Sequence, residues 1–365
     1  MKTIALLAIA GLAGAAQAQL NLTLVANIDL IDLTGNAASD KYIGTSPAAV
    51  AWNGSEAYIA GWNNFGSSPR TALARVSNVF GTPSFSNAFG VINSASGRGY
   101  LDITRKGNNV YAAYENGGGQ ATNGIYGYDV SGGLPPTNFA NFLNSGYRAS
   151  GIDVDSRTGD IVSSSVATGL RQFVLNDDAS LTAIYGPIAP ATAGYSILPT
   201  TDANTNWRDV QIDDATGDVY YRKQNDVWVS RRTGDNAGSV LSVLVDMAAG
   251  DQSGQAIEIL RGTADGDFII FNSRTGGNPG QTFASNFRVA TMNGTLTTAN
   301  FIGFDPSAAN PGGNGWYDYD YDAASRTLAV TDFGNKRLYI FAVPTPGATA
   351  VLGVAGLLAA RRRRA

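Results

Sequence analysis

Short runs of alternating apolar and polar residues recur along the middle of the chain. Each is followed by a turn and a second apolar run. The clearest copies are GIDVDSRTGDIVSS from Gly151, DVQIDDATGDVYYR from Asp209 and DYDYDAASRTLAVTD from Asp318, with YLDITRKGNNVYAAY from Tyr100 close behind. Weaker copies are AVAWNGSEAYIAGW from Ala49 and AIEILRGTADGDFIIF from Ala256. A period of two is the signature of a strand. The intervening Asn108-Asn109, Thr158-Gly159-Asp160 and Thr216-Gly217-Asp218 tolerate the backbone angles that close hairpins. A third strand follows several hairpins, in GIYGYDV from Gly124, LRQFVLN from Leu170, DVWVSRR from Asp226 and KRLYIFAV from Lys336, and SLTAIYG from Ser180 reads as a fourth.

With the first apolar residue of each copy as an anchor (Val50, Leu101, Ile152, Val210, Ile257 and Tyr319), the intervals are 51, 51, 58, 47 and 62 residues. Three or four antiparallel strands repeated at a steady interval predict a β-propeller. The repeat count predicts six blades, and the longer gaps leave room for a seventh. The opening LNLTLVANIDL, from Leu20, is expected to supply the last blade's outer strand and close the ring. One or two β-sandwiches would also give many short strands, but without one hairpin recurring at a regular spacing. The repeats resemble the NHL and YVTN-type propellers, a resemblance that implies fold rather than activity.

The ends read differently. MKTIALLAIAGLAGAAQA has a basic start at Lys2, an apolar stretch from Ile4 to Ala15 and a small-x-small site at Ala16-Gln17-Ala18. These are the three parts of a cleavable secretory signal over residues 1–18, which makes Gln19 the expected mature N-terminus. At the other end Pro344-Thr345-Pro346 precedes a 13-residue uncharged apolar segment, Ala348 to Ala360, and the run Arg361, Arg362, Arg363 and Arg364. A helix of that length reaches about 20 Å against a hydrocarbon core of about 30 Å. It therefore suits transient membrane insertion, with the arginines on the cytoplasmic side. Pro-x-Pro, short apolar helix and arginine cluster together resemble the PEP-CTERM protein-sorting domain. The resemblance implies recognition of residues 343–365 by a membrane sorting enzyme (exosortase) and delivery to the cell surface or extracellular matrix. Thr345 stands where that family has an acidic residue. The body between the signals is then 19–342.

Composition removes several chemistries. The chain has no cysteine, so disulfides and thiolate catalysis are excluded, and no histidine, so Ser-His-Asp triads and histidine-ligated zinc are excluded too. The net charge of −4 already includes the terminal arginines, and no basic patch marks the body, which argues against a nucleic-acid partner. The 44 glycines among 365 residues suit short strands and tight turns.

Two chemistries remain. Asp102, Asp153, Gln211, Glu258 and Asp320 occupy one aligned position on the inner strands, where carboxylates could ring a central channel and hold calcium. Further acids, Asp155, Asp160, Asp213, Asp214, Asp218, Asp318 and Asp322, cluster at the hairpins, where Asp is also an ordinary turn residue. Secondly, AGWNNFG (Trp62), AYENGGG (Tyr114), NTNWRD (Trp207) and GNGWYD (Trp316) place aromatics beside Asn, Asp and Gly. Such rings can stack on sugars or pack between blades. Two functions follow: a non-catalytic surface or matrix protein binding extracellular polysaccharide or matrix protein, or an extracytoplasmic propeller enzyme of the calcium-dependent lactonase or lyase type. A carboxylate-lined central pocket would favour the enzyme.

Overall fold

The structure, a computed structural model, describes residues 19–62, 70–93, 98–117, 121–133, 136–143, 147–166, 169–175, 181–185, 207–223, 226–234, 237–239, 241–247, 256–273, 282–308 and 316–344. Residues 1–18 and 345–365 lie outside it, and with them the signal sequence, Thr345, Pro346 and Arg361 to Arg364. Among the described residues no helix is long and apolar enough to cross a membrane.

The chain opens with β1 (Leu20–Asp29). A meander follows of β2 (Ser46–Trp52), β3 (Ala57–Trp62), β4 (Arg70–Ser77), β5 (Ser84–Phe85) and β6 (Phe89–Asn93), the last two both pairing with β4. Next come β7 (Gly99–Lys106), β8 (Asn109–Glu115), β9 (Gly124–Asp129) and β10 (Thr137–Leu143). These two meanders join into one nine-stranded sheet through a single pair, Trp62 with Gly99. A four-stranded sheet holds β11 (Ala149–Val154), β12 (Ile161–Ser165), β13 (Arg171–Leu175) and β14 (Leu181–Tyr185). The next is β15 (Trp207–Ile212), β16 (Val219–Lys223) and β17 (Asp226–Ser230), the small pair β18 (Arg232–Gly234) and β19 (Ala237–Gly238), then β20 (Ser242–Val245), which returns to β17. Another holds β21 (Ile257–Thr263), β22 (Gly266–Asn272), the one-turn α1 (Phe283–Asn286), β23 (Phe287–Thr291) and β24 (Leu296–Thr297). Finally β25 (Ala299–Ile302) precedes β26 (Tyr317–Asp322), β27 (Thr327–Asp332) and β28 (Arg337–Ala342).

The arrangement is a β-propeller, all-β apart from α1. All the predicted hairpins form, and the predicted third strands are β9, β13, β17 and β28. β1 lies antiparallel beside β28, Ile28 opposite Leu338, so the chain's first strand completes its last sheet as the opening segment predicted. The parallel pairing of β25 with β1 was not foreseen.

Apolar clusters fill the spaces between successive sheets, and they show what the period of two means here. Val50 and Trp52 pack with Ala329 and Ile340 of the last sheet, whereas Ala49 and Ala51 pack with Tyr100 and Val110 of the next. Ile152 and Val154 face Tyr111 and Ala113, and Val210 and Ile212 face Val162. Both sides of an inner strand are therefore buried, one against each neighbour. Alternation distinguishes neighbours instead of core and solvent.

One anchor is displaced. In β2, β7, β11 and β15 the register shifts at Ala48, Leu101, Ser150 and Arg208. Val50, Ile152 and Val210 each lie two residues beyond their bulge, and so does Ile103. Leu101 is itself the bulged residue. An extra residue in one strand is invisible to a count of apolar positions. Correcting for it aligns Asp102 with Asp209, and Thr104 with Asp153 and Gln211. Beyond β28, Val343 is buried in the apolar cluster of the last sheet, and the Pro344 carbonyl accepts the Ala264 N–H at 2.9 Å.

Candidate functional site

Inner strands present one edge to the propeller axis, and a strand edge carries backbone N–H groups with no ladder partner. The inner-strand acids supply acceptors to those groups. Asp102 Oδ2 accepts from Ile152 N at 2.6 Å, Asp153 Oδ2 from Ile212 N at 2.7 Å, and Asp209 Oδ2 from Ile257 N at 2.7 Å. Asp318 accepts from Val50 N at 2.7 Å and Asp320 from Trp52 N. Glu258 accepts from Tyr321 N. In every case the donor lies on the following sheet. The second oxygen of Asp102, Asp153 and Asp209 turns back to the N–H of its own next residue, each at 2.7 Å. Ala49 and Ala51 hold the matching positions on β2 and offer no acceptor.

Burial raises the pKa of all these acids, since the charged form loses its water. It pushes Asp102 to about 6, Asp153 to about 7 and Asp320 to about 8, against partial relief from the backbone donors. Asp209, Asp318 and Glu258 are pushed well above the usual range by burial and by their acidic neighbours. Asp102 and Asp209 lie side by side on this axis, and the charge of each opposes ionisation of the other, most strongly at Asp209. The cavity that Asp102, Asp209, Glu258, Asp318 and Asp320 line with Gln211 is about 20 Å³, room for a water-sized occupant. This is the carboxylate-lined pocket that would mark an enzyme, but it is too small for an organic substrate, and its acids already serve the backbone.

Four of the hairpin acids are tied to cations. Asp155 pairs with Arg232 at 2.6 Å and Asp218 with Arg231 at 2.7 Å. Asp213 is gripped by Arg261, whose other nitrogen reaches Asp267 at 2.7 Å, and Asp214 meets Lys106 at 3.3 Å. Among the described residues no group of three or more acids is placed to hold a metal ion.

The four aromatics separate. Tyr114 is fully buried, its ring 5.0 Å from Tyr100 and 6.0 Å from Tyr126. Trp207 is fully buried against Tyr221 at 5.6 Å and Trp228 at 6.1 Å. Neither can offer a ring to a ligand. Trp62 and Trp316 are half-buried and come together, ring centroids 5.0 Å apart, although 254 positions separate them in sequence. Phe333 joins them, stacked on Trp316 at 5.0 Å with an interplanar angle of 20°. Its N–H donates to the Trp316 carbonyl at 3.0 Å. Trp62 ends β3, Trp316 precedes β26 and Phe333 follows β27, so the platform lies where the last sheet meets the first. Beside Trp62 the chain runs close against the β1–β2 connection, where a Cβ on Gly61 would lie 2.0 Å from the Ile43 carbonyl oxygen. Sequence reasoning missed Phe333, although Asp332, Gly334 and Asn335 beside it are the same signal that singled out Trp62 and Trp316. The neighbouring loop residues 63–69 and 309–315 lie outside the described residues, as do 118–120 and 204–206.

Among the described residues, fold and site together define a propeller with a stitched acidic axis and a half-exposed aromatic platform. Its structure is similar to that of an auxiliary nutrient binding protein from Bacteroides ovatus, with a TM-score of 0.51, 13% identity, and coverage of 89% of this chain and 77% of that one. An auxiliary nutrient binding protein from Bacteroides thetaiotaomicron gives a TM-score of 0.50 at 11% identity, covering 81% and 68%. The WD40 beta propeller domain of Doa1 gives 0.48 at 9% identity, covering 88% and 97%. At these identities the likeness concerns fold alone. No protein-family model matches the chain, and no curated protein matches it by sequence.

Proposed function

We propose that this protein is an exported, non-catalytic propeller of six blades that binds saccharide on the rim where its last and first blades meet. The blade number is supported by meanders starting at β2, β7, β11, β15, β21 and β26, the first two sharing strand pairing only at Trp62 and Gly99. Export is supported by the ordered signal over residues 1–18, and surface sorting by the PEP-CTERM-like order of residues 343–365. The partners are a membrane sorting enzyme and an extracellular polysaccharide.

The observation that carries the binding reading is the Trp62–Trp316–Phe333 platform. A half-exposed indole offers an apolar face to the C–H face of a sugar, and leaving it bare in water has a cost that a ligand removes. The test is a glycan array probed with the mature protein and with Trp316→Ala. The wild type should retain a defined set of glycans that the variant loses at unchanged thermal stability. Equal retention by both would refute the platform. An enzymatic reading has one supporting observation, the neighbouring buried carboxyl groups of Asp102 and Asp209 on the axial cavity. Turnover of a lactone or polysaccharide by the wild type, abolished in Asp209→Asn, would establish it.

A further inference from the structure

The connection from β1 to β2 crosses the same rim and encloses a cleft of about 530 Å³, lined by Ile31, Asp32, Asn36, Ser39, Asp40 and Lys41 among others. That size falls within the roughly 300–1,000 Å³ typical of small-molecule sites. We infer that this cleft is a second saccharide subsite, joined to the aromatic platform across the Phe333–Lys336 turn, and that the ligand is a neutral oligosaccharide spanning both. The inference rests on the saccharide reading of the platform.

The cleft is held in shape by the backbone. Leu33 N donates to Leu30 O at 3.0 Å, Ile43 N to Leu33 O at 2.9 Å, and Ala88 N to Asp40 O at 2.9 Å. Leu33 and Ile43 are fully buried in the apolar cluster beneath. Ser39 Oγ accepts the Lys41 N–H at 3.2 Å, while other groups facing the cleft are unspent. Among the described residues the Asp32 and Asp40 carboxylates and the Lys41 ammonium make no hydrogen bond or ion pair. Asn36 uses its side-chain oxygen to accept the Ala38 N–H at 3.1 Å, which leaves its amide donors free. Ile31, 52% exposed, adds an apolar face at the edge.

Charge and distance narrow the ligand. Beside the two carboxylates stand Lys41, the Arg70 guanidinium bonded to the Ser39 and Asp40 carbonyls, and Lys336, whose Nζ lies 3.6 Å from where a Cβ on Gly35 would be. With both signs interleaved, the lining attracts neither anions nor cations strongly. It does offer donors and acceptors together, which is what hydroxyl groups use. Lys336 borders the cleft and Phe333 belongs to the platform, and a four-residue turn separates its end Cα atoms by less than about 7 Å. A short chain of sugars can cross that distance.

The experiment is calorimetric titration of the mature protein with neutral malto-, cello- and manno-oligosaccharides, from monosaccharide to hexasaccharide, at low and high salt. Affinity for the recognised series should rise about ten-fold or more with length, as expected when a second contact becomes intramolecular. The double variant Asp32→Ala/Asn36→Ala, altered only on an exposed surface, should bind the short sugars like the wild type and lose that rise. Trp316→Ala should weaken every length. Binding independent of length, or a rise that survives in the double variant, overturns the second subsite while leaving the platform in place. Binding that Trp316→Ala leaves intact overturns the platform, and the absence of binding in all series overturns both. A steep loss of affinity with salt would reject a neutral ligand.

Discussion

Asp318 Oδ2 accepts the backbone N–H of Val50 at 2.7 Å, joining residues 268 positions apart. Asp320 and the Trp52 N–H make a second such bond, and Trp52 Nε1 donates to Thr327 Oγ1 at 2.7 Å. These bonds fasten the last inner strand to the first, the seam where the ring closes. Asp318→Ala would leave the Val50 N–H buried without an acceptor, at a cost of about 1–3 kcal/mol. Asp318→Asn keeps an acceptor oxygen and should cost less. Urea unfolding of both variants checks the order; an unchanged midpoint for Asp318→Ala would show that the bond contributes nothing.

Stability should fall as pH rises through the neutral range. The folded-state values of about 6, 7 and 8 for Asp102, Asp153 and Asp320 lie above an unfolded Asp near 3.9. The folded state therefore binds more protons between those limits. The contribution is complete below about pH 4 and is lost as pH passes through the folded values. Asp213, lowered by Arg261 despite burial, works in the opposite sense at acid pH. Thermal unfolding should show a higher Tm at pH 5 than at pH 8, and Asp102→Asn should flatten the difference. A Tm that rises from pH 5 to pH 8 would contradict this account of the axis.

Neighbouring positions on β11 should respond very differently. Ile152 is 1% exposed among Tyr111, Tyr147 and Phe173, and an unpartnered carboxylate there should cost more than about 4 kcal/mol. Asp153→Asn should cost about 1–2 kcal/mol, because the amide oxygen retains one of the two backbone donors and resembles the protonated acid. Denaturant midpoints compare the two directly; similar losses would mean that Ile152 does not face the adjacent sheet.

Export makes a covalent prediction. Mass spectrometry of the secreted protein should find Gln19 at its N-terminus. Deleting Arg361 to Arg364 should alter surface delivery and leave the Tm of the body unchanged, since the last strand ends at Ala342. Retention of Met1 in the secreted protein, or a lowered Tm after the deletion, would count against the assigned boundaries.

The comparison of Leu101 with Ile103 shows where sequence reading stopped. Both are apolar residues on β7, and only the register shift decides which one packs between sheets. The same shift explains why Asp209 was overlooked while Asp102 was placed with Asp153. Among the aromatics, Tyr114, Trp207, Trp62 and Trp316 have similar local surroundings in sequence, yet two are core and two form the platform. Their exposure depends on which neighbouring sheet covers them, and no local pattern carries that information.

The sequence by itself determined the hairpins, the repeat and the closing role of the first strand, because alternation, turn residues and strand length are local properties. The tertiary structure alone decided the use of the acids and the aromatics. A carboxylate on an inner strand bonds whatever N–H the next sheet presents, and an indole becomes a binding face only where distant strands leave it half-covered. Both outcomes depend on distances across the ring, which the order of residues along one strand does not contain.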